Sequence, residues 1–312
     1  MGSISAFTTH ASADIVLGQP DFFTTICNGG GLNAATLCNP TGVAVDPHNG
    51  NLYVADYSNQ RVLEYNSPFT TDRVADDVFG QFGAFTTNFC NNSGVSSDSL
   101  CAPVAVAVDS AGNLYVADQA NGRVLEYNTP EKQTTTPGSG DTTADQVFGQ
   151  FGNFNAGGCN SAGISAGSLC NPSALAVDSS RNLFVADSSN NRVLEYFTPH
   201  TSADRVFGQL GNFATNICNK GGINARGLCT PAGVATDSNG RLYISDRSNN
   251  RALGFAPPFT LNPSASIVFG QRRDFTAIIC NNSFSGASPP VSSESLCSPT
   301  GAGVDGSGSF YL

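Results

Sequence analysis

The chain of 312 residues has no tryptophan, one methionine and three histidines, and only 12% of its residues are charged. Because charged residues make up about 25% of ordinary soluble proteins, this surface is expected to consist largely of uncharged polar groups, which suits an extracellular β-protein. No segment keeps apolar residues at the i, i+3, i+4 and i+7 spacing over three turns, so almost no helix is expected.

The charge balance and the lack of long apolar runs exclude two classes of partner. The chain has 14 basic and 24 acidic residues and a net charge of −10, which disfavours binding to a nucleic-acid backbone. No run approaches the about 18 apolar residues of a membrane helix. Residues 1–13 lack the basic and apolar regions of an export signal, so an exported protein would carry its signal outside this chain.

A unit of about sixty residues recurs along the chain, and it gives the main indication of fold. The element Ala-Asp-x-Val-x-Gly-Gln, or a close variant, ends at Gln19, Gln81, Gln150, Gln209 and Gln271. Each unit holds four short β-rich runs separated by turn signals, which we call strands a to d. A single four-stranded sheet cannot bury both of its faces, so the repeat predicts sheets stacked as the blades of a ring.

The motifs Gly-Val-Ala-Val-Asp at residues 42–46, Asn-Leu-Tyr-Val-Ala-Asp at residues 51–56 and Arg-Val-Leu-Glu-Tyr at residues 61–65 resemble NHL repeats. This resemblance implies an all-β fold, a β-propeller of four-stranded antiparallel blades, and it implies six blades in a closed ring. We expect one domain over residues 1–312. Its blades are predicted at about 38–81, 101–150, 170–209, 229–271 and, in part, 297–312, with an N-terminal strand d at 14–19. We expect that the chain is truncated at its C-terminus; the alternative is a five-bladed ring in which residues 14–19 complete the last blade.

Ten cysteines fall into five pairs in the loops between strands d and a. The pairs are Cys27 and Cys38, Cys90 and Cys101, Cys159 and Cys170, Cys218 and Cys229, and Cys280 and Cys297. Local disulfides are predicted, because a metal site usually needs a short Cys-x-x-Cys knuckle or added histidines. Disulfides persist in oxidising compartments, so an extracellular, periplasmic or cell-surface location is expected.

The recurring charged residues favour structure over chemistry. In the four complete units an Asp ends strand b and an Arg opens strand c five residues later, and this recurrence predicts a structural pair across the turn: Asp56 and Arg61, Asp118 and Arg123, Asp187 and Arg192, and Asp246 and Arg251. A second series of aspartates suits turns between strands a and b, with calcium binding as the alternative: Asp46, Asp109, Asp178, Asp237 and Asp305. The repeated glutamines are expected to form buried amide bridges between blades.

No catalytic or metal site is predicted, and no cofactor is expected beyond that calcium alternative. The resemblance includes metal-dependent lyases and lactonases that act at the central channel, but the channel strand a here offers only Val, Ala and Gly. The histidines His10, His48 and His200 occupy non-equivalent places, and no Gly-x-Ser-x-Gly or His-Glu-x-x-His motif occurs.

Strand direction places the disulfide loops and the b–c turns on one face of the ring, where loops on a rigid scaffold usually carry recognition. Phenylalanines such as Phe22, Phe23, Phe85, Phe154 and Phe213 are expected mostly to fill gaps between blades. The candidate ligand-facing residues are Tyr57, Asn59, Gln119, Asn121, Ser188, Asn190, Arg247 and Asn249. The sequence favours a non-catalytic binding or scaffold propeller for a protein, peptide or glycan. The alternatives are a metal-dependent lyase or hydrolase and a self-assembling cell-envelope protein, and no oligomeric state is predicted. The glycosylation patterns at Asn91 and Asn281 are attributed to chance.

Overall fold

The computed structural model describes residues 12–130, 141–281 and 292–312. In these ranges the chain forms four antiparallel sheets of four strands and one sheet of two strands. Each four-stranded sheet is one blade with the strand order a-b-c-d, the two-stranded sheet contains strands a and b, and the strands a of successive blades lie side by side. The predicted all-β propeller of four-stranded blades is confirmed, while the number of blades in a closed ring stays a prediction.

The strands follow the repeat closely. Blade 1 contains β1 Pro40–Val45, β2 Leu52–Asp56, β3 Arg61–Tyr65 and β4 Asp77–Phe79. Blade 2 contains β5 Pro103–Val108, β6 Leu114–Asp118, β7 Arg123–Tyr127 and β8 Gln146–Phe148. Blade 3 contains β9 Pro172–Val177, β10 Leu183–Asp187, β11 Arg192–Tyr196 and β12 Arg205–Phe207. Blade 4 contains β13 Pro231–Thr236, β14 Leu242–Asp246, β15 Arg251–Phe255 and β16 Ile267–Phe269, and blade 5 contains β17 Gly303–Val304 and β18 Phe310–Tyr311.

Short 3-10 segments occupy two kinds of turn. In the b–c turns they span Tyr57–Asn59, Ser188–Asn190 and Arg247–Asn249. After strand d they span Gln81–Gly83, Gln150–Gly152, Gln209–Gly211 and Gln271–Arg273. Within the described ranges these segments are the only helical structure, as the missing helical periodicity predicts.

The inner strands pack so closely that their central position takes only glycine or alanine. A Cβ atom on Gly42 would lie 2.8 Å from the Val104 carbonyl oxygen and 2.9 Å from the Ala105 Cα atom. Gly233 is equally close to the backbone of blade 5. The small residues of strand a therefore set the spacing between blades around the axis.

Apolar side chains fill the seams between neighbouring blades, and we name each seam by the two blades that form it. In seam 1–2 the Phe79 ring meets the Tyr127 ring edge-on, with 4.9 Å between centroids. The same contact recurs between Phe148 and Tyr196 in seam 2–3 and between Phe207 and Phe255 in seam 3–4. Burial of one such aromatic side chain contributes about 1.5–3 kcal/mol to stability. Contacts between neighbouring blades therefore form a large part of the hydrophobic core.

Residues 14–19 do not form the predicted N-terminal strand d. Strand d pairs only with strand c of its own blade, as Val62–Glu64 pair with Asp77–Phe79. The described chain has no strand c ahead of residue 14, so this segment has no ladder partner. It still packs on blade 1, since Leu17 contacts the cluster around Val54 and Leu63, and the Gly18 carbonyl accepts the Leu37 N–H.

Candidate functional site: the disulfide-closed loop face

One face of the arc is formed by the loops between strands d and a together with the b–c turns, and we call it the loop face. All five predicted disulfides are present in these loops, with Cα–Cα distances of 4.3 to 4.7 Å. Four of them join residues 11 apart, and Cys280–Cys297 joins residues 17 apart. In the chain-entropy model, a loop of this size contributes about 2–3 kcal/mol. Five such bonds indicate an oxidising compartment.

A buried ion pair anchors each disulfide loop to its blade. In blade 3 the Asp187 carboxylate accepts hydrogen bonds from Arg192 Nε at 2.7 Å and from the backbone N–H of Cys170 at 2.7 Å. The Arg192 guanidinium also donates to the carbonyls of Ser165, Ser168 and Phe213, so it joins two successive loops. Both side chains are fully buried.

The same pairs occur in the other complete blades as Asp56–Arg61, Asp118–Arg123 and Asp246–Arg251. Their donors and acceptors are used within the protein. The expected structural role of these pairs is therefore confirmed, and none of them is open to a substrate.

Four of the eight candidate ligand-facing residues are buried rather than exposed at the surface. Asn59, Asn121, Asn190 and Asn249 are at most 3% exposed. Each donates to the Asp of its blade, as Asn190 Nδ2 does to Asp187 Oδ2 at 2.8 Å. Each also exchanges two amide hydrogen bonds with an asparagine that directly follows the first cysteine of a loop.

The sequence carried a signal for this pairing that our sequence analysis missed, because the dipeptide Cys-Asn occurs in all five loops, at residues 27–28, 90–91, 159–160, 218–219 and 280–281. The same pairing involves the asparagine of one glycosylation pattern. The Asn91 amide is bonded to Asn121 and cannot serve as an acceptor without breaking that pair. The second pattern includes residues 282 and 283, which lie outside the described residues, as does His10.

The other four candidates lie at the surface of the b–c turns. Tyr57, Gln119 and Ser188 are half-buried and Arg247 is exposed. Beneath them the repeated glutamines of the four complete blades are buried, and they join the b–c turn of their own blade to the following loop rather than two blades: Gln209 Nε2 donates to the carbonyls of Asn191 at 3.0 Å and Ile217 at 2.7 Å. The turns are thus held rigidly, and their outer positions differ from blade to blade.

The loop face exposes large apolar side chains at two repeated positions. The residue before the first cysteine is 58–69% exposed in four loops, as Ile26, Phe89, Ile217 and Ile279. The residue after the repeated glutamine is 41–52% exposed in three loops, as Phe82, Phe151 and Leu210. These residues do not fill the core, so the structure holds apolar surface in water on covalently closed loops.

The predicted phenylalanines divide into two groups. Phe85, Phe154 and Phe213 are partly buried against the seam clusters, so they fill gaps between blades as expected. Phe22 and Phe23 are 52% and 91% exposed and add to the apolar surface of blade 1.

The centre of the arc is lined mainly by small side chains in the described ranges. A channel of about 210 Å³ is lined by strands a, among them Thr41, Ala105, Ser173 and Ala232. The aspartates of the a–b turns accept backbone N–H groups of their own turns, as Asp178 does from Ser180 and Asn182. No group of three His, Cys, Asp or Glu side chains suited to a metal occurs among the described residues.

The comparisons with known proteins agree with the repeat. The family model described as NHL repeat matches residues 37–65, 100–127, 169–196 and 228–253. A solved structure titled "Streptogramin B lyase structure" is 11% identical with a TM-score of 0.44, over 87% of this chain and 60% of that one. A structure titled "Crystal structure of RRP9 WD40 repeats" is 10% identical with a TM-score of 0.46, over 75% of this chain and 52% of that one.

The chain therefore spans about half to three fifths of the length of these two structures. Among the described residues, no helix reaches the length and apolarity needed to cross a bilayer. Each family match covers strands a to c of one blade. We conclude that the chain contains four NHL repeats within a β-propeller fold, and that its loops are closed by disulfides.

Proposed function

We propose that this protein is a non-catalytic binding propeller of the extracellular space, periplasm or cell surface, and that its loop face binds a protein or peptide. One observation carries the proposal: Ile26, Phe89, Ile217 and Ile279 are exposed beside the first cysteine in four of the five disulfide loops, and the third loop has Gly158 at this position. Single exposed apolar residues are common on protein surfaces, but their recurrence at one position of several loops favours an interaction surface. Disulfides, ion pairs and amide pairs hold the loops, so little conformational entropy is lost on binding.

The apolar character of this face favours a protein or peptide over a glycan. Aromatic and aliphatic anchors supply most of the binding energy in protein interfaces, with polar groups at the rim. Here the half-buried turn residues Tyr57, Gln119 and Ser188 supply such a rim.

The test is selection of peptides from a phage-displayed random library on the purified chain, followed by affinity measurement of the enriched peptides. A variant with Ile26, Phe89, Ile217 and Ile279 all changed to serine should bind these peptides at least about tenfold more weakly. The matched control changes four exposed apolar residues outside the loop face to serine: Phe69, Val74, Leu261 and Ile267. This control should bind as the wild type does.

Addition of EDTA should leave peptide binding unchanged, since the proposal includes no metal or calcium. The proposal is wrong if no peptide is enriched, if both variants lose affinity equally, or if a glycan array gives the only binding. Turnover of a substrate that stops on chelation would instead favour the lyase or hydrolase alternative.

A further inference from the structure

A small recess lies in seam 2–3, on the side of the blades opposite the loop face. It has a volume of about 10 Å³ and is lined by Tyr115, Glu126, Gln146, Tyr196 and His200, among others. A cavity of this size holds about one water-sized group. None of these residues has a role in the loop face.

At the equivalent position in seam 3–4, an arginine side chain lies beside the glutamate. Glu195 pairs with Arg205 across strands β11 and β12. The Arg205 guanidinium lies 5.1 Å from the Phe197 ring centroid and 5.5 Å from the Phe259 ring centroid. Burial raises the pKa of the Glu195 carboxyl, and the Arg205 charge opposes this effect. The carboxylate in this seam is neutralised by a cation of the same blade.

In seam 2–3 the carboxylate is kept but the cross-strand cation is absent, and the positive charge that acts on Glu126 is that of Arg181 in blade 3. Glu126 occupies the place of Glu195, but its cross-strand partner is Gln146 where Arg205 stands in blade 3. Glu126 is 5% exposed, and Tyr115 donates its hydroxyl to Glu126 Oε1 at 3.1 Å. In seam 1–2 the corresponding Glu64 accepts the Asn51 amide at 3.0 Å, whereas Asn113 in blade 2 donates to Asp109 instead.

The side chains around the glutamate are also more polar in seam 2–3 than in seam 3–4. Three aromatic residues of seam 3–4 have no polar side-chain atom, whereas their equivalents in seam 2–3 have one: Tyr115 for Phe184, Tyr196 for Phe255 and His200 for Phe259. The Tyr196 side chain is 1% exposed, and its hydroxyl has no hydrogen-bond partner among the described residues. The equivalent Tyr65 and Tyr127 hydroxyls are also without such a partner. Tyr196, however, lines the recess beside Glu126, so a group bound there would satisfy a buried hydroxyl that is costly to leave unpaired.

We propose that the recess in seam 2–3 binds one ammonium-type cation, with Glu126 as its counter-charge and the Tyr196 hydroxyl as an acceptor. The volume fits a primary ammonium head group and excludes a quaternary one. The bound cation neutralises Glu126 as the Arg205 guanidinium neutralises Glu195 in blade 3. The cation could come from a free amine or from a lysine side chain, which share this chemistry.

The pH dependence of binding follows from the groups that face Glu126. These are Asp109, Tyr115 and Asp145 from blade 2, and Arg181, Tyr196 and His200 from blade 3. Burial raises the pKa of Glu126 to about 7, with a further contribution from Asp109 and Asp145. Only the ionised carboxylate attracts a cation, so affinity at pH 8 should be about tenfold higher than at pH 6.

The experiment is a titration of the isotope-labelled chain with methylammonium chloride, monitored by NMR shifts of Gln146 and Tyr196. Choline chloride at the same ionic strength is the control for size. Wild type should show saturable shifts with methylammonium only. Glu126→Gln should abolish them, and Glu64→Gln, which removes the carboxylate of seam 1–2, should not.

A second variant tests the site by filling it. Gln146→Arg should place an internal cation beside Glu126, as in blade 3, and should abolish methylammonium binding. Its charge control is Gln119→Arg on the loop face, where blade 4 has Arg247, and this variant should bind as wild type does. His200→Phe should keep the tenfold pH effect, which assigns that effect to Glu126. Shifts that are absent in wild type, equal in Glu126→Gln, or equal with choline would overturn the proposal.

Titration with N-acetyl-lysine amide distinguishes the two sources. Binding as tight as that of methylammonium supports a lysine side chain as well as a free amine, and weaker binding restricts the recess to free amines.

Discussion

Seams 2–3 and 3–4 are built from equivalent positions, but the buried glutamate has different partners in the two seams. In seam 3–4 a guanidinium between two phenyl rings neutralises Glu195. In seam 2–3 Glu126 has one hydroxyl donor and a recess beside it. The apolar contacts, such as Phe148 with Tyr196 and Phe207 with Phe255, hardly differ. Repetition therefore fixes the packing of the blades, and individual polar positions are free to diverge at the ends of the seams.

The loop face shows the same contrast between these two seams. In seam 3–4 the Asn191 side chain accepts the Thr230 N–H at 2.8 Å and donates to the Asn216 carbonyl at 2.9 Å. Gly122 stands at the equivalent place in seam 2–3. A Cβ atom there would lie 2.6 Å from the Gly158 carbonyl oxygen, so no asparagine fits. Seam 2–3 is thus the less tightly bridged of the two at both of its ends.

The largest effect is expected when seam 3–4 loses its cation. Arg205→Gln leaves Glu195 buried without a counter-charge and removes the cation–π contacts, because Gln146 in blade 2 shows that glutamine fits this strand position. Removal of one partner from a buried pair costs about 3 kcal/mol or more. Denaturant unfolding should show this loss in free energy of unfolding at pH 8. A loss below about 1 kcal/mol would mean that the ion pair contributes little and that the two seams are equivalent.

The pH dependence of stability should distinguish Glu126 from the rest of the chain. The folded-state pKa of about 7 lies above the ordinary value of 4.5, so folding takes up a proton between these two pH values. The contribution of Glu126 to stability is then fully present below about pH 4.5 and is lost as the pH rises through 7. Glu126→Gln has no carboxyl group and lacks this pH dependence. The free energy of unfolding of the variant relative to that of wild type should therefore be about 2 kcal/mol higher at pH 8 than at pH 5. Parallel stability profiles of the two proteins would contradict the assignment.

Features that recur within each unit could be predicted from the sequence, whereas contacts between residues of different units could not. The strands and disulfides were predictable, because apolar alternation and cysteine spacing recur within each unit. The loop asparagines were misjudged because polar turn residues look exposed in a sequence, whereas Asn59 pairs with Asn28 of the disulfide loop. The recess brings Glu126 and His200 together across two blades. An alignment of the units would reveal Gln146 opposite Arg205, but only the packing of the blades shows that Tyr196 faces the same corner.

A smaller effect is expected at the loop end of seam 3–4. Asn191→Gly removes the bridge to Thr230 and Asn216, while its positive φ of 53° suits glycine well. The two exposed or half-buried hydrogen bonds are replaced in part by water, so the free energy of unfolding should fall by about 1 kcal/mol. Chemical denaturation measures this change, and the variant makes seam 3–4 resemble seam 2–3 at this position. An unchanged stability would show that the amide bridge does not hold the two blades together.

The smallest effect on stability is expected from Tyr196→Phe, which makes seam 2–3 resemble seam 3–4, where Phe255 occupies this position. The lost hydroxyl has no partner among the described residues, so the free energy of unfolding should stay unchanged or rise by up to about 1 kcal/mol. Methylammonium affinity should fall, because the proposed acceptor is gone. Tyr127→Phe is the matched control, since the Tyr127 hydroxyl is also buried without such a partner in seam 1–2, and it should leave methylammonium affinity unchanged. If Tyr196→Phe instead destabilises the chain by more than about 1 kcal/mol, the hydroxyl has a structural partner such as a fixed water, and the recess is part of the core.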